Sequence, residues 1–112
     1  MTEIQQGHIY FADLNPIMGH EQGGYRPVLI LQKNMLNRHL STVVVAPLTK
    51  NLKAMGHLTT CFISKKESLL PFDSVALLFQ LRTIDKKRLK KFVSALDKDT
   101  MAQVREQIFF VV

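Results

Sequence analysis

Residues 19–34 read GHEQGGYRPVLILQKN, and the way this stretch changes character decides how the rest of the chain is arranged. A polar loop carrying Gly19, Gly23 and Gly24 runs into Arg26 and Pro27, and then into the apolar run Val28-Leu29-Ile30-Leu31. Proline disfavours the α region for the residue before it, so Arg26 is expected in an extended backbone at a loop–strand junction. Pro27 itself is tolerated at the start of a strand, where the ladder can spare its missing N–H. Two readings follow. One is a recognition loop with a fixed cation at its exit, loops being where function concentrates. The other is an ordinary hairpin connection that ends in arginine.

Outward from this stretch the chain reads as short strands. Residues 8–14 (HIYFADL) mix β-branched and aromatic side chains and predict a first strand, which Asn15-Pro16 stops. Residues 28–32 predict the second. Residues 33–41 look like a polar connection, and TVVVA at 42–46 predicts a third strand leading through Pro47 to Leu48-Thr49-Lys50. After a basic loop at 51–56, residues 57–63 (HLTTCFI) alternate as a half-buried strand does. Residues 65–72 look irregular. The run 74–84 (SVALLFQLRTI) predicts one bent strand or two segments, and 91–96 predicts the last. One helix is expected at the end. Asp97 suits its N-cap, Leu96 can staple onto Met101, and Met101, Val104 and Ile108 share a face. The expectation is a compact, mostly antiparallel β-barrel or curled sheet with one helix packed on it.

The 112 residues suit a single domain spanning 1–112, and 46% hydrophobic with 21% charged residues is the balance of a globular chain. Fifteen basic against nine acidic residues leave +6, a charge that attracts a polyanion or serves solubility. A single cysteine, Cys61, excludes an intramolecular disulfide and a thiolate metal cluster. Its apolar neighbours suggest a buried strand position. The N-terminus has no apolar signal region, and no apolar run reaches membrane-spanning length, so a cytoplasmic protein is expected.

The spacing of chemistry-bearing residues excludes several classes. His8, His20, His39 and His57 lack the spacing of a helical zinc motif, so no metal is expected. No Lys-Ser/Thr pair follows the glycines as a phosphate loop requires, and no serine sits in a hydrolase elbow. What remains is a set of polar residues at strand ends: Arg26, Thr49, Gln80 and Arg82. Arg26 can hold a phosphate bidentately. Thr49 can donate to a phosphoryl oxygen, although a strand threonine is more often there for its β-propensity. Arg82 can equally pair with Asp85. The run Asp85-Lys86-Lys87-Arg88-Leu89-Lys90-Lys91 is either a solvated face or a track for phosphates. Tyr10, Phe11, Tyr25 and Phe79 are candidates to stack unpaired bases, and Phe11 and Phe79 are alternatively core residues.

The segments GHIYFADLNPIMGHEQGGYRPVLILQ, TVVVAPLT and LLFQLRTIDKKRL closely resemble the MazF/PemK/Kid toxin endoribonucleases, in the same order and spacing from about Gly7 through the final helix. The resemblance implies an SH3-like β-barrel of the PemK/CcdB type, working as a homodimer without a cofactor or metal. It implies cleavage of single-stranded RNA at short motifs, restrained by an antitoxin whose acidic, disorder-prone segment occupies the RNA groove. The family's catalytic arginine and threonine fall on Arg26 and Thr49. Its RNA-binding loop falls on Glu21 and Gln22, and the glutamine of its QxRTID segment on Gln80. The implied reaction is attack of the ribose 2′-OH on its own 3′-phosphate, leaving a 2′,3′-cyclic phosphate and a 5′-OH end.

Two positions depart from the family pattern. Many relatives carry an acidic residue before Gln80, where this chain has Phe79; a phenyl ring cannot transfer a proton, help worth roughly 10²–10⁴ in rate. His20 is the nearby candidate for an acid, a base or an RNA contact, since histidine changes charge near neutrality. His8 also replaces a residue that is acidic in many relatives. A weakened or inactive homologue that binds RNA or a peptide is therefore one alternative. A gyrase-poisoning toxin of the same fold is another.

Overall fold

The computed structural model describes residues 3–15, 19 and 23–112. Seven strands form: β1 (His8–Asp13), β2 (Tyr25–Ile30), β3 (Thr42–Thr49), β4 (Thr60–Ile63), β5 (Ser74–Leu77), β6 (Arg82–Asp85) and β7 (Leu89–Ala95). Three helices join them: α1 (Asn34–His39), α2 (Lys65–Ser68) and α3 (Lys98–Ile108). Every strand pairing is antiparallel, in the order β4-β5-β3-β2-β1-β7. β6 and β5 share one edge of β3, β6 along Thr42–Val45 and β5 along Leu48–Thr49. β4 and β7 end the order without pairing to each other. The expected barrel is thus an open, barrel-like sheet with a C-terminal helix.

Both faces of the central strands are buried, and alternation sorts their side chains. Ile9, Leu29, Ala46 and Leu48 join one cluster, to which α3 adds Met101 and Val104. Tyr10, Ala12, Val28, Ile30, Val43 and Val45 join the other. Two-sided burial explains why β2 and β3 read as continuous apolar runs.

The register of β2 on β3 pairs Val28 with Pro47, Leu29 with Ala46 and Ile30 with Val45. The paired stretch ends at Val28 and Pro47, and Arg26 and Thr49 lie two residues beyond it on the two strands.

Several elements differ from expectation. β2 begins at Tyr25 and passes through Pro27, so Arg26 lies inside the strand rather than at its mouth. β3 likewise runs through Pro47 to Thr49. The polar connection at 33–41 contains α1, held by tertiary contacts: buried Asn37 donates to the Gln32 carbonyl at 2.9 Å and accepts from Gln32 Nε2 at 3.0 Å. The irregular stretch 65–72 contains the single turn α2, begun by a capping box between Ser64 and Glu67. The run 74–84 is two strands separated by a 3₁₀ turn at Leu78–Gln80.

The final helix is capped as its sequence predicts, the Asp97 carboxylate accepting the Thr100 N–H at 2.8 Å. Leu96 and Met101 pack together in the core. Gly7, at φ +92°, makes this docking close: a Cβ there would lie 2.9 Å from Met101 Cγ, and its carbonyl accepts the Leu96 N–H at 3.0 Å.

Candidate active site

At the open ends of β2 and β3 lies a cleft of about 340 Å³ lined by Phe11, Tyr25, Arg26, Pro27, Leu48, Thr49, Lys50 and Phe72. Arg26 and Thr49, expected on one groove, are both among the residues that line this cleft. Each is half-buried. The Arg26 Nε–H donates to the Gly23 carbonyl at 2.8 Å, which ties the guanidinium to the end of the preceding loop. Burial lowers the Arg26 pKa from its usual value, but a guanidinium starts so high that it stays cationic at any working pH. Thr49 Oγ1 accepts the Asn51 N–H at 3.1 Å. With a lone pair engaged by that backbone group, its own O–H is available to donate elsewhere.

The walls of the cleft are aromatic and apolar. The Phe11 and Tyr25 rings stack at 5.3 Å with planes 3° apart. Their positions follow from the β1–β2 register, in which Phe11 pairs with Pro27 and Asp13 with Tyr25. Leu48 belongs to the core, and Phe11 and Phe72 pack against it. A guanidinium, a hydroxyl and an ammonium (Lys50) beside a flat aromatic surface can hold a phosphate and its neighbouring ring together.

Other expected residues are placed elsewhere. Gln80 and Phe79 sit on the 3₁₀ turn after β5 and are not among the residues lining the cleft. Phe79 is half exposed, so it is not core, and its N–H donates to the Thr59 carbonyl at 3.3 Å. His20, Glu21 and Gln22 lie outside the described residues. Tyr10 is buried, its ring 5.5 Å from Phe92, and cannot stack a base. The Asp85 carboxylate accepts the Lys87 N–H at 2.8 Å, while Arg82 Nη1 is buried with no hydrogen-bond partner among the described residues. Cys61 is buried, and burial, with Glu67 nearby, pushes its thiol pKa up; it is not poised as a nucleophile. Among the described residues, no group of three or more His, Cys, Asp or Glu side chains is placed to hold a metal ion, and no helix is long and apolar enough to cross a membrane.

Four lining residues, Pro27, Leu48, Lys50 and Phe72, were not among the candidates. Lys50 directly follows Thr49 and was legible as its neighbour. Phe72 arrives through the long-range fold of the 65–73 segment, for which the sequence carries no local signal.

Comparison with known proteins identifies the family. The family described as PemK-like, MazF-like toxin of type II toxin–antitoxin system matches residues 5–112. An endoribonuclease MazF of Staphylococcus epidermidis is 45% identical over 101 residues, covering 90% of this chain and 84% of that protein. Among solved structures, MazF from Deinococcus radiodurans superposes with a TM-score of 0.81 at 25% identity, covering 99% of this chain and 97% of the other. A mycobacterial endoribonuclease in complex with its cognate antitoxin gives 0.75 at 22% identity, with 99% and 94% covered; at that identity it speaks for the fold.

Proposed function

The chain belongs to the PemK-like, MazF-like toxins of type II toxin–antitoxin systems, and from that premise we propose that it is an endoribonuclease that cuts single-stranded RNA without a metal. One observation carries the reading: Arg26 and Thr49, from the neighbouring strands β2 and β3, line one cleft.

The chemistry asks little of the protein. The ribose 2′-OH attacks the adjacent 3′-phosphate and gives up its proton; the P–O5′ bond breaks, and the departing oxygen takes a proton. The products are a 2′,3′-cyclic phosphate and a 5′-OH. Negative charge builds on the non-bridging oxygens in between. Arg26 meets that charge with a cation held in place by Gly23, and Thr49 donates its hydroxyl to the same phosphoryl group. Because both donors stand on paired strands, little reorganisation accompanies the step.

His20, Glu21 and Gln22 are in this reading RNA-binding residues. Gln80 and Phe79 contact the strand further along, Phe79 as a ring where an acid would otherwise be. The +6 charge supports binding of RNA and of an antitoxin with an acidic, disorder-prone segment. A homodimer in the cytoplasm completes the reading. Exposed Phe109, Phe110 and Val112 at the end of α3 support such a self-interface.

The test is direct. Purified protein is incubated with a long mixed-sequence RNA in EDTA, and the new ends are mapped. Discrete cuts bearing 5′-OH termini are expected. RNA that is bound but left intact would instead mark a non-catalytic binding module.

A further inference from the structure

We propose that the stacked Phe11–Tyr25 pair is the subsite for a nucleobase next to the scissile phosphate, with Tyr25 as the residue the base lies on. This deepens the ribonuclease reading and rests on it for the position of the phosphate.

The pair has the features of a platform. Phe11 is half-buried and packs against the core, so it is held from behind. Tyr25 lies parallel to it, 3° off, at a centroid distance of 5.3 Å. Yet Tyr25 remains 59% exposed. Parallel planes at that centroid distance make the stack an offset one, so Phe11 overlaps part of one ring face and leaves much of the ring open. A large aromatic ring is thus fixed in orientation by a neighbour and left largely open. On the other face of β1, His8 and Tyr10 pack edge-on against Phe92 and tilted to each other, two of the three rings being buried. Here the pair ends at solvent.

Its position supplies the ligand class. Tyr25 directly precedes Arg26, and both line one cleft with Thr49 and Lys50. Cation, hydroxyl and ammonium select a phosphate, and the flat apolar wall beside them selects a planar ring. A phosphate and a planar ring taken up in one cleft describe a nucleotide in an unstacked strand, where bases are free to splay onto aromatic side chains. Stacking is tolerant of base identity, so Tyr25 contributes affinity and a graded preference for larger rings rather than strict readout.

The test is a cycle between the ring and the base. Oligonucleotides carrying a mapped cut site are compared with copies that have an abasic ribose on either side of the cut. Tyr25→Ala is expected to raise KM on the complete oligonucleotide by about 5- to 150-fold, the range that follows from loss of one base–aromatic stack. kcat should change far less, and Tyr25→Phe should behave as wild type. On one of the two abasic substrates, wild type and Tyr25→Ala should become equal. Equal loss by Tyr25→Ala on complete and abasic substrates would overturn the proposal, as would no loss at all. Exposure of Tyr25 makes folding of the variant a minor concern, and its circular dichroism spectrum checks it. Should the wild type cut no RNA, the ribonuclease reading falls separately. The stack is then read from dissociation constants for single-stranded RNA of wild type and Tyr25→Ala, and equal constants overturn it.

Discussion

β1 separates two hollows of similar make-up and unequal promise. On the side of Phe11 is the Arg26–Thr49 cleft, of about 340 Å³. On the side of Tyr10 is a larger hollow of about 480 Å³, lined by Ile4, Tyr10, Leu89 and Phe92 with Lys86, Lys87 and Lys90. Both combine cations with aromatic rings, and the second is bigger and carries more lysines. What the second lacks is convergence. Its lysines are point charges on flexible stems, and its rings, Tyr10 and Phe92, pack edge-on against each other. The first has a guanidinium tied down by Nε, a hydroxyl on the neighbouring strand, and a ring more exposed than either ring of the second. Size and charge do not make a site; fixed donors aimed at one point do.

The contrast can be broken most forcefully at Arg26. Arg26→Ala should lower the rate of RNA cleavage by about 10²–10³, the usual loss for one transition-state charge stabiliser. Its thermal midpoint should stay near that of wild type; near-normal cleavage by this variant would remove the site. Thr49→Ala should cost less, on the order of 10–10² in single-turnover rate, because a neutral donor is weaker than a cationic one. Thr49→Ser should recover most of that loss, since only the hydroxyl is needed.

The opposite face should answer to pH rather than to substrate. Burial lowers the His8 pKa below its ordinary 6.5, so the folded protein resists a proton that the unfolded chain accepts. Stability should therefore hold above pH 6.5 and decline as pH falls from there toward the folded value. Urea midpoints measured from pH 7.5 to 5 follow this, and His8→Phe should flatten the curve. The smallest effect belongs to the lysines. Changing Lys86, Lys87 and Lys90 together to Gln should leave single-turnover kcat unchanged. The slope of log affinity for RNA against log salt should drop by less than about 0.7 per lysine, the value for a full contact to a single strand. A kcat loss rivalling that of Arg26→Ala would reverse the ranking of the two hollows.

Legibility in the sequence followed the range of the interactions involved. Strand existence was readable because β2 and β3 bury both faces and so announce themselves as apolar runs. The capping of α3 was readable because Asp97, Leu96 and Met101 act within a few residues of one another. α1 was not, since its polar residues are held by Gln32 before it and by Lys86, which donates to the Asn37 carbonyl from far along the chain. The capping box that starts α2 was present as Ser64 and Glu67, and was masked by the nearby Pro71. At the site, Arg26 and Thr49 were found through family likeness and strand-end logic. Tyr10 was misjudged because alternation along β1 sends it and Phe11 to opposite faces, and the parity of a strand is known only once its partners are. Gln80 and Phe79 fall outside the cleft because the 3₁₀ turn at 78–80 carries them off the strand that the run 74–84 suggested.

The placing of Arg26 and Thr49 on neighbouring strands has a consequence for how such a protein tolerates change. Their relation depends only on the phase of β2 against β3, and that phase is held by Val28, Leu29 and Ile30 against Val45, Ala46 and Pro47. Deleting a single residue between Arg26 and Leu29 would leave the chain just as apolar and the arginine still encoded, yet deliver its guanidinium to the wrong side of the sheet. Loss of function can thus arise from register errors in the hydrophobic interior that leave Arg26 and Thr49 both present in the sequence.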